Sequence, residues 1–76
     1  MEWKTEGGFL TKEFEFNNFL EVIDFVNKVA KVAEEMNHHP DLLIHSYKKL
    51  KIKLLTHSKN KITDKDHALA EKINEL

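Results

Sequence analysis

Lys49-Leu50-Lys51-Ile52-Lys53-Leu54-Leu55-Thr56-His57 is the stretch that decides the fold. Leu50, Ile52, Leu54 and Thr56 share one side of an extended chain, with Lys49, Lys51 and Lys53 on the other. This period of two predicts a strand with one buried face. Just before it, Leu42 to Tyr47 predicts a second strand, with Leu43 and Tyr47 on one face and Leu42 and Ile44 on the other. Phe9 to Phe16 alternates as well: Leu10, Phe14 and Phe16 oppose Thr11, Glu13 and Glu15. Lys12 interrupts the apolar side, so that face is expected to be incompletely covered. Gly7-Gly8 links this run to the short segment before it as a hairpin, because both positions tolerate positive φ.

Between the two pairs of strands, Asn18 to about Asn37 predicts the main helix. Asn18 is suited to the N-cap, with Glu21 three residues on in capping-box spacing. Val22, Val26, Val29, Ala33 and Met36 form a sustained stripe that Phe19, Ile23 and Ala30 widen. Phe25 and Val32 fall outside it, and a second apolar face predicts a partner helix from another subunit. Pro40 closes the region, since the residue before proline is disfavoured in the α conformation. At the other end of the chain, Thr63 and Asp66 repeat the capping-box spacing, and Leu69, Ile73 and Leu76 complete a terminal helix. The order β-β-α-β-β-α predicts a single α+β domain over residues 1–76: a four-stranded antiparallel sheet with two helices on one face.

Composition narrows the function. Twelve Lys or Arg stand against 13 Asp or Glu, a net charge of −1, without the basic stripe of a nucleic-acid binder. No apolar run approaches the ~20 residues of a membrane span, and Glu2-Trp3-Lys4 holds no signal-peptide core. With no cysteine there are no disulfides, thiolate metal sites or cysteine nucleophiles, which fits a cytoplasmic protein. A 76-residue core is small, and without disulfides oligomerisation is the expected means of stabilising it.

Five histidines are many for this length, and two are adjacent in Glu34-Glu35-Met36-Asn37-His38-His39-Pro40-Asp41. Imidazoles give and take protons near neutral pH, so a cluster suits acid–base chemistry. A helix ending at His38-His39 would let both rings face one cleft. The structural alternative is a pair of exposed rings interacting with the negative end of the helix dipole. His57 reads by itself as a solvent-facing strand end, Asp66 as a capping carboxylate, Tyr47 as sheet filler, and Glu34 as a solvated charge. His45 and His67 have no motif around them and are expected on the surface. Three imidazoles could hold a zinc ion, but adjacent histidines lack the i, i+4 spacing of helical metal ligands, so no metal is expected.

Glu34, His38-His39-Pro40, Tyr47, His57 and Asp66, at these intervals, resemble the signature of the pterin-4a-carbinolamine dehydratases. Trp3, Phe14-Glu15-Phe16, Phe19, Val29-Ala30, Ala33-Glu34, Thr56-His57, Ile62-Thr63 and Leu69-Ala70 extend the resemblance over nearly the whole chain. The resemblance implies a four-stranded antiparallel sheet with helices on one face, and association into homodimers or homotetramers through strand edges and the long helix. Members usually carry a further N-terminal helix before the Trp3 position, so a short form is expected here.

The implied reaction removes water from a 4a-hydroxytetrahydropterin, such as 4a-hydroxytetrahydrobiopterin, to give the quinonoid dihydropterin. It needs no metal or other cofactor, because the pterin is the substrate. By the same resemblance His38, His39 and His57 are the catalytic residues, one accepting the ring N–H proton while another helps the hydroxyl depart; the resemblance does not say which does which, and His38 as base with His39 as donor is the working choice. Glu34, Asn37, Pro40, Thr56 and Asp66 are expected to bind or orient. Two departures stand out. Asn60 lies in a loop where a glycine is common, and it tolerates the left-handed region. Leu42 replaces a frequent aromatic residue after Pro40-Asp41. The competing readings are a pterin binder without turnover and a dimerisation module that meets a transcription factor through the long helix.

Overall fold

The computed structural model describes residues 2–76. Strands β1 (Lys4–Glu6) and β2 (Phe9–Glu15) precede helix α1 (Phe19–Met36). Strands β3 (Asp41–His45) and β4 (Lys49–Leu54) follow, and helix α2 (Asp64–Asn74) ends the fold. The sheet order is β1-β2-β4-β3 with every neighbouring pair antiparallel, as the order of elements predicted. No helix among the described residues is long and apolar enough to cross a membrane.

The alternation of β4 explains its central place. Leu50, Ile52 and Leu54 are fully buried beneath the helices, opposite Phe14 and Leu10 on β2 and Ile44 and Leu42 on β3. Val22 and Val29 of α1 and Leu69, Ala70 and Ile73 of α2 close the same core. The lysines of β4 share the open face with glutamates of β1 and β2, and Lys51 pairs with Glu6 at 3.6 Å.

Gly7 (φ 56°) and Gly8 (φ 86°) make the left-handed pair that a two-residue hairpin link requires. The β3–β4 link uses the same device without glycine. Ser46 and Tyr47 both have φ 51°, so Tyr47 is a turn residue, 63% exposed, and not sheet filler. The strand expected to reach Tyr47 therefore stops at His45. The next stops at Leu54, and Thr56 continues only as an isolated bridge to Lys61. Asn60, at φ 55°, does supply the left-handed residue of that loop.

Lys12 does not leave the apolar face uncovered. Its ammonium donates to Asn74 Oδ1 at 2.8 Å, sharing that oxygen with the Trp3 indole N–H, and lies 4.9 Å from the Phe14 ring centre. Phe25, outside the valine stripe, packs on Phe14 and Phe16 at centroid distances of 5.0 and 5.3 Å. The second apolar side of α1 is thus partly consumed by its own sheet. What remains exposed is Phe19 (49%) and Leu20 (74%), together with Ala30, which does not widen the buried stripe.

Leu50 sits where β2, β3 and β4 meet, so its truncation tests the core. Leu50→Ala should cost about 2–5 kcal/mol, read as a lower urea midpoint. That is a large share of the roughly 4–11 kcal/mol that a domain of this size commands.

Candidate active site

Helix α1 ends earlier than His38-His39. Asn37 adopts the left-handed conformation (φ 51°), its N–H bonded to carbonyls of the last turn, and the His38 N–H returns to Ala33 O at 3.0 Å. Both histidines therefore leave the helix axis, which frees them from the angular spacing a helix would impose. At the other side, β4 runs out through Leu55 and Thr56 into a tight loop. There Asn60 N–H bonds His57 O at 3.1 Å and Thr56 pairs with Lys61.

These two chain ends and the start of α2 enclose a cleft of about 270 Å³, lined by Asn37, His38, His39, Leu55, Thr56, His57, Ser58 and Lys65. The volume is just under the ~300 Å³ at which ligand pockets usually begin. The larger hollow of about 470 Å³ lies among Lys4, Glu6, Glu13 and Lys51 and contains none of the candidate residues. The cleft brings together all three histidines singled out from the sequence. Asn37 and Thr56 line it too, whereas Glu34, Pro40 and Asp66 do not. Glu34 and Asp66 stand behind the histidines instead.

Asp66 is fully buried and bonded on both oxygens. Oδ1 faces His38 Nε2 at 2.6 Å, while Oδ2 accepts the Thr56 hydroxyl at 2.8 Å and the Thr63 N–H at 2.9 Å. Thr56 spends its only proton on Asp66, so the Thr63 hydroxyl, 2.6 Å away, donates to Thr56. The Thr63 oxygen in turn caps α2 by accepting the Lys65 and Asp66 N–H groups, and the Thr63 N–H held by Asp66 Oδ2 completes the predicted capping box. Burial pushes the Asp66 carboxyl up, but the bonds from His38, Thr63 and Thr56, with the His38 charge, outweigh it and leave its pKa below the ordinary 3.8. An ionised Asp66 fixes His38 as the Nε2–H donor, so Nδ1 is the nitrogen left for other chemistry.

His39 repeats the arrangement at the surface, with Nε2 2.5 Å from Glu34 Oε2 and both side chains more than half exposed. His57 is exposed at the mouth. His45, expected as a plain surface residue, is half-buried and meets Glu13 Oε1 at 3.2 Å across the open face, while His67 is exposed. Among the described residues no three His, Asp or Glu side chains group as a metal site. Sequence reading missed Leu55, Ser58 and Lys65 as lining residues, and read Thr63 only as a cap. The position of Lys65 between the cap and Asp66 was the one available signal.

Comparison with known proteins bears on this arrangement. The family model "Pterin 4 alpha carbinolamine dehydratase" matches residues 1–76. A Sulfolobus acidocaldarius protein named "Putative pterin-4-alpha-carbinolamine dehydratase" is 45% identical over 74 residues, 97% of this chain and 80% of that protein. One of the same name from Thermomicrobium roseum is also 45% identical, over 97% of this chain and 78% of its own length. A crystal structure from Brucella melitensis, described as a transcriptional coactivator/pterin dehydratase, superposes with a TM-score of 0.84 at 33% identity, over 95% of this chain and 77% of that one. A pterin dehydratase-like RuBisCO assembly factor of the alpha-carboxysome superposes at 0.80 over 99% of this chain and 88% of its own, but at 20% identity that likeness speaks for the fold alone.

The Asp66 network makes acid stability measurable. A carboxyl with a lowered folded pKa binds fewer protons in the folded state, so its stabilisation is complete above pH ~3.8 and fades as pH falls through the lowered value. Urea midpoints from pH 6 to pH 2.5 should drop steeply at the acid end for the native protein. Asp66→Asn should start lower at pH 6, by about 1–3 kcal/mol, and decline less steeply.

Proposed function

The chain belongs to the pterin-4-alpha-carbinolamine dehydratase family, and from that premise we propose that its cleft dehydrates a 4a-hydroxytetrahydropterin by histidine acid–base catalysis. The observation that carries this reading is the convergence of His38, His39 and His57 on one cleft, with a carboxylate behind two of them. The reaction is redox-neutral. A proton leaves the ring nitrogen beside C4a, the C4a–O bond breaks, and a C=N bond forms between the two atoms. The departing hydroxide takes a proton and leaves as water, so one group must accept a proton while another delivers one.

His38 suits the accepting role. Its Nε2–H is held by the buried Asp66, which orients the ring and leaves the Nδ1 lone pair as the base. His39 with Glu34 then supplies the proton to the hydroxyl, its exposure allowing exchange with solvent between turnovers. His57 assists from the opposite wall. Asn37, at the floor of the turn, offers an amide to the pterin edge, and Pro40 holds the chain extended beyond the two histidines. The Thr56 hydroxyl is committed to Asp66, so its part is to position the acid and not to bind the pterin directly. The pterin enters as substrate, and 4a-hydroxytetrahydrobiopterin is the substrate this reading favours. It has the protein at work in the cytoplasm as a homodimer or homotetramer, with no other cofactor.

A second reading has one observation in its favour. Phe19 and Leu20 are exposed together at the start of α1, which suits a non-catalytic dimerisation module that meets another protein, a transcription factor included.

Three measurements separate these readings. With 4a-hydroxytetrahydropterin generated by a hydroxylase, absorbance should report dehydration that His57→Ala slows about 10²–10⁴-fold, and His38→Ala at least as much. Circular dichroism of His57→Ala should be native, since the ring is exposed; a collapse would make this histidine structural. Light scattering should give two or four times the 9.0 kDa chain mass. A monomer with no dehydratase rate would favour the interaction module.

A further inference from the structure

The direction of the protons behind His38 is fixed by elimination. The Thr63 hydroxyl oxygen meets the Lys65 N–H at 3.3 Å and the Asp66 N–H of the same turn, and both of these are donors. Its own proton therefore has one acceptor among these partners, the Thr56 oxygen 2.6 Å away. Thr56 has a single proton as well, and the Asp66 carboxylate takes it at 2.8 Å. From the first turn of α2 the donations thus run one way, through Thr63 and Thr56 to Asp66 Oδ2, while Asp66 Oδ1 holds His38 Nε2 at 2.6 Å. The loop before α2 makes the contact possible. Asn60, in the left-handed region, turns the chain so that Thr56 pairs with Lys61, which brings residue 63 back beside residue 56.

Capping a helix needs only an acceptor. Donating onward to Thr56 is a separate task, and the cap makes no use of it. Thr63 is half-buried and does not line the cleft. Resting on the dehydratase reading above, we infer that Thr63 is a positioning residue for the reaction: acting through Thr56, its hydroxyl holds the Asp66 carboxylate in the orientation that keeps His38 as the Nε2–H tautomer with Nδ1 free as the base. Without that proton, Thr56 keeps an unfilled lone pair at 6% exposure and makes a weaker, less directed bond to Oδ2. The carboxylate is then freer to turn about its Cβ–Cγ bond, and His38 loses its fixed support. Because Thr63 lies outside the cleft wall, the loss falls on kcat and not on KM. Its scale is about tenfold, as for partners that orient a working histidine from behind.

Steady-state dehydration by the full chain and long-range 1H–15N spectra of its imidazoles test this together. Thr63→Val, of the same shape but without a hydroxyl, should lower kcat about tenfold at near-constant KM, and Thr63→Ser should restore it. The His38 ring should show the single Nε2–H pattern in the native protein and in Thr63→Ser, and a mixture of tautomers in Thr63→Val. Thr63→Gly, which costs the cap little, replaces Thr63→Val should the latter unfold. In a Thr56→Val background, Thr63→Val should cost no further rate, since its route to Asp66 is already broken. A native kcat or an unchanged tautomer in Thr63→Val, or losses that simply add in the double variant, overturn the inference and leave the dehydratase reading standing. A native protein with no dehydratase rate sinks that reading, and this inference with it.

Discussion

The molecule depends on one buried charge. Asp66 has no contact with water, and an ionised carboxylate in that position is tolerable only because three donors meet it. Those donors come from three separate parts of the chain: His38 just beyond α1, Thr56 at the exit of β4, and the backbone of Thr63 before α2. The carboxylate therefore fastens both helices and the central strand to one point. Removing any donor leaves the others facing an under-compensated charge, so the network is cooperative in a way that isolated surface pairs are not.

The same constraint gives the histidines different environments. His38 is nearly enclosed and oriented from behind by a carboxylate that cannot exchange its partners. His39, one residue on, faces Glu34 in open solvent, where the pair is screened. Two imidazole–carboxylate dyads thus differ in burial and in access to water. A base that must meet a ring N–H at fixed geometry gains from the first arrangement, and an acid that must be re-protonated from solvent gains from the second.

Local features of this organisation were legible in the sequence. The β4 alternation, the glycine link and the Thr63–Asp66 box each depend on residues within a few positions, and each was found where expected. The Ser46-Tyr47 turn was not, because neither residue advertises positive φ, and Tyr47 was read as strand. Phe25 was assigned to a partner helix because periodicity describes a helix alone and not the phenylalanines β2 would present to it. The His38–Asp66 bond spans 28 positions, and no pattern in the residues marks such a contact. The family resemblance drew attention to both residues and to Thr56, but not to the hydroxyl bond by which Thr63 supports Thr56 on Asp66.

The position of Lys65 follows from the cap itself. Thr63 must accept the Lys65 N–H to start α2 and must donate its hydroxyl to Thr56 to support Asp66. Once those bonds fix residues 63 to 66, the residue between the cap and the buried acid is anchored beside the cleft, whatever side chain it carries. A lysine there adds a charge at no cost to the network, because only its backbone is used. The scaffold that holds the cleft histidines is thus independent of the side chain at position 65, which can vary without disturbing the Asp66 site.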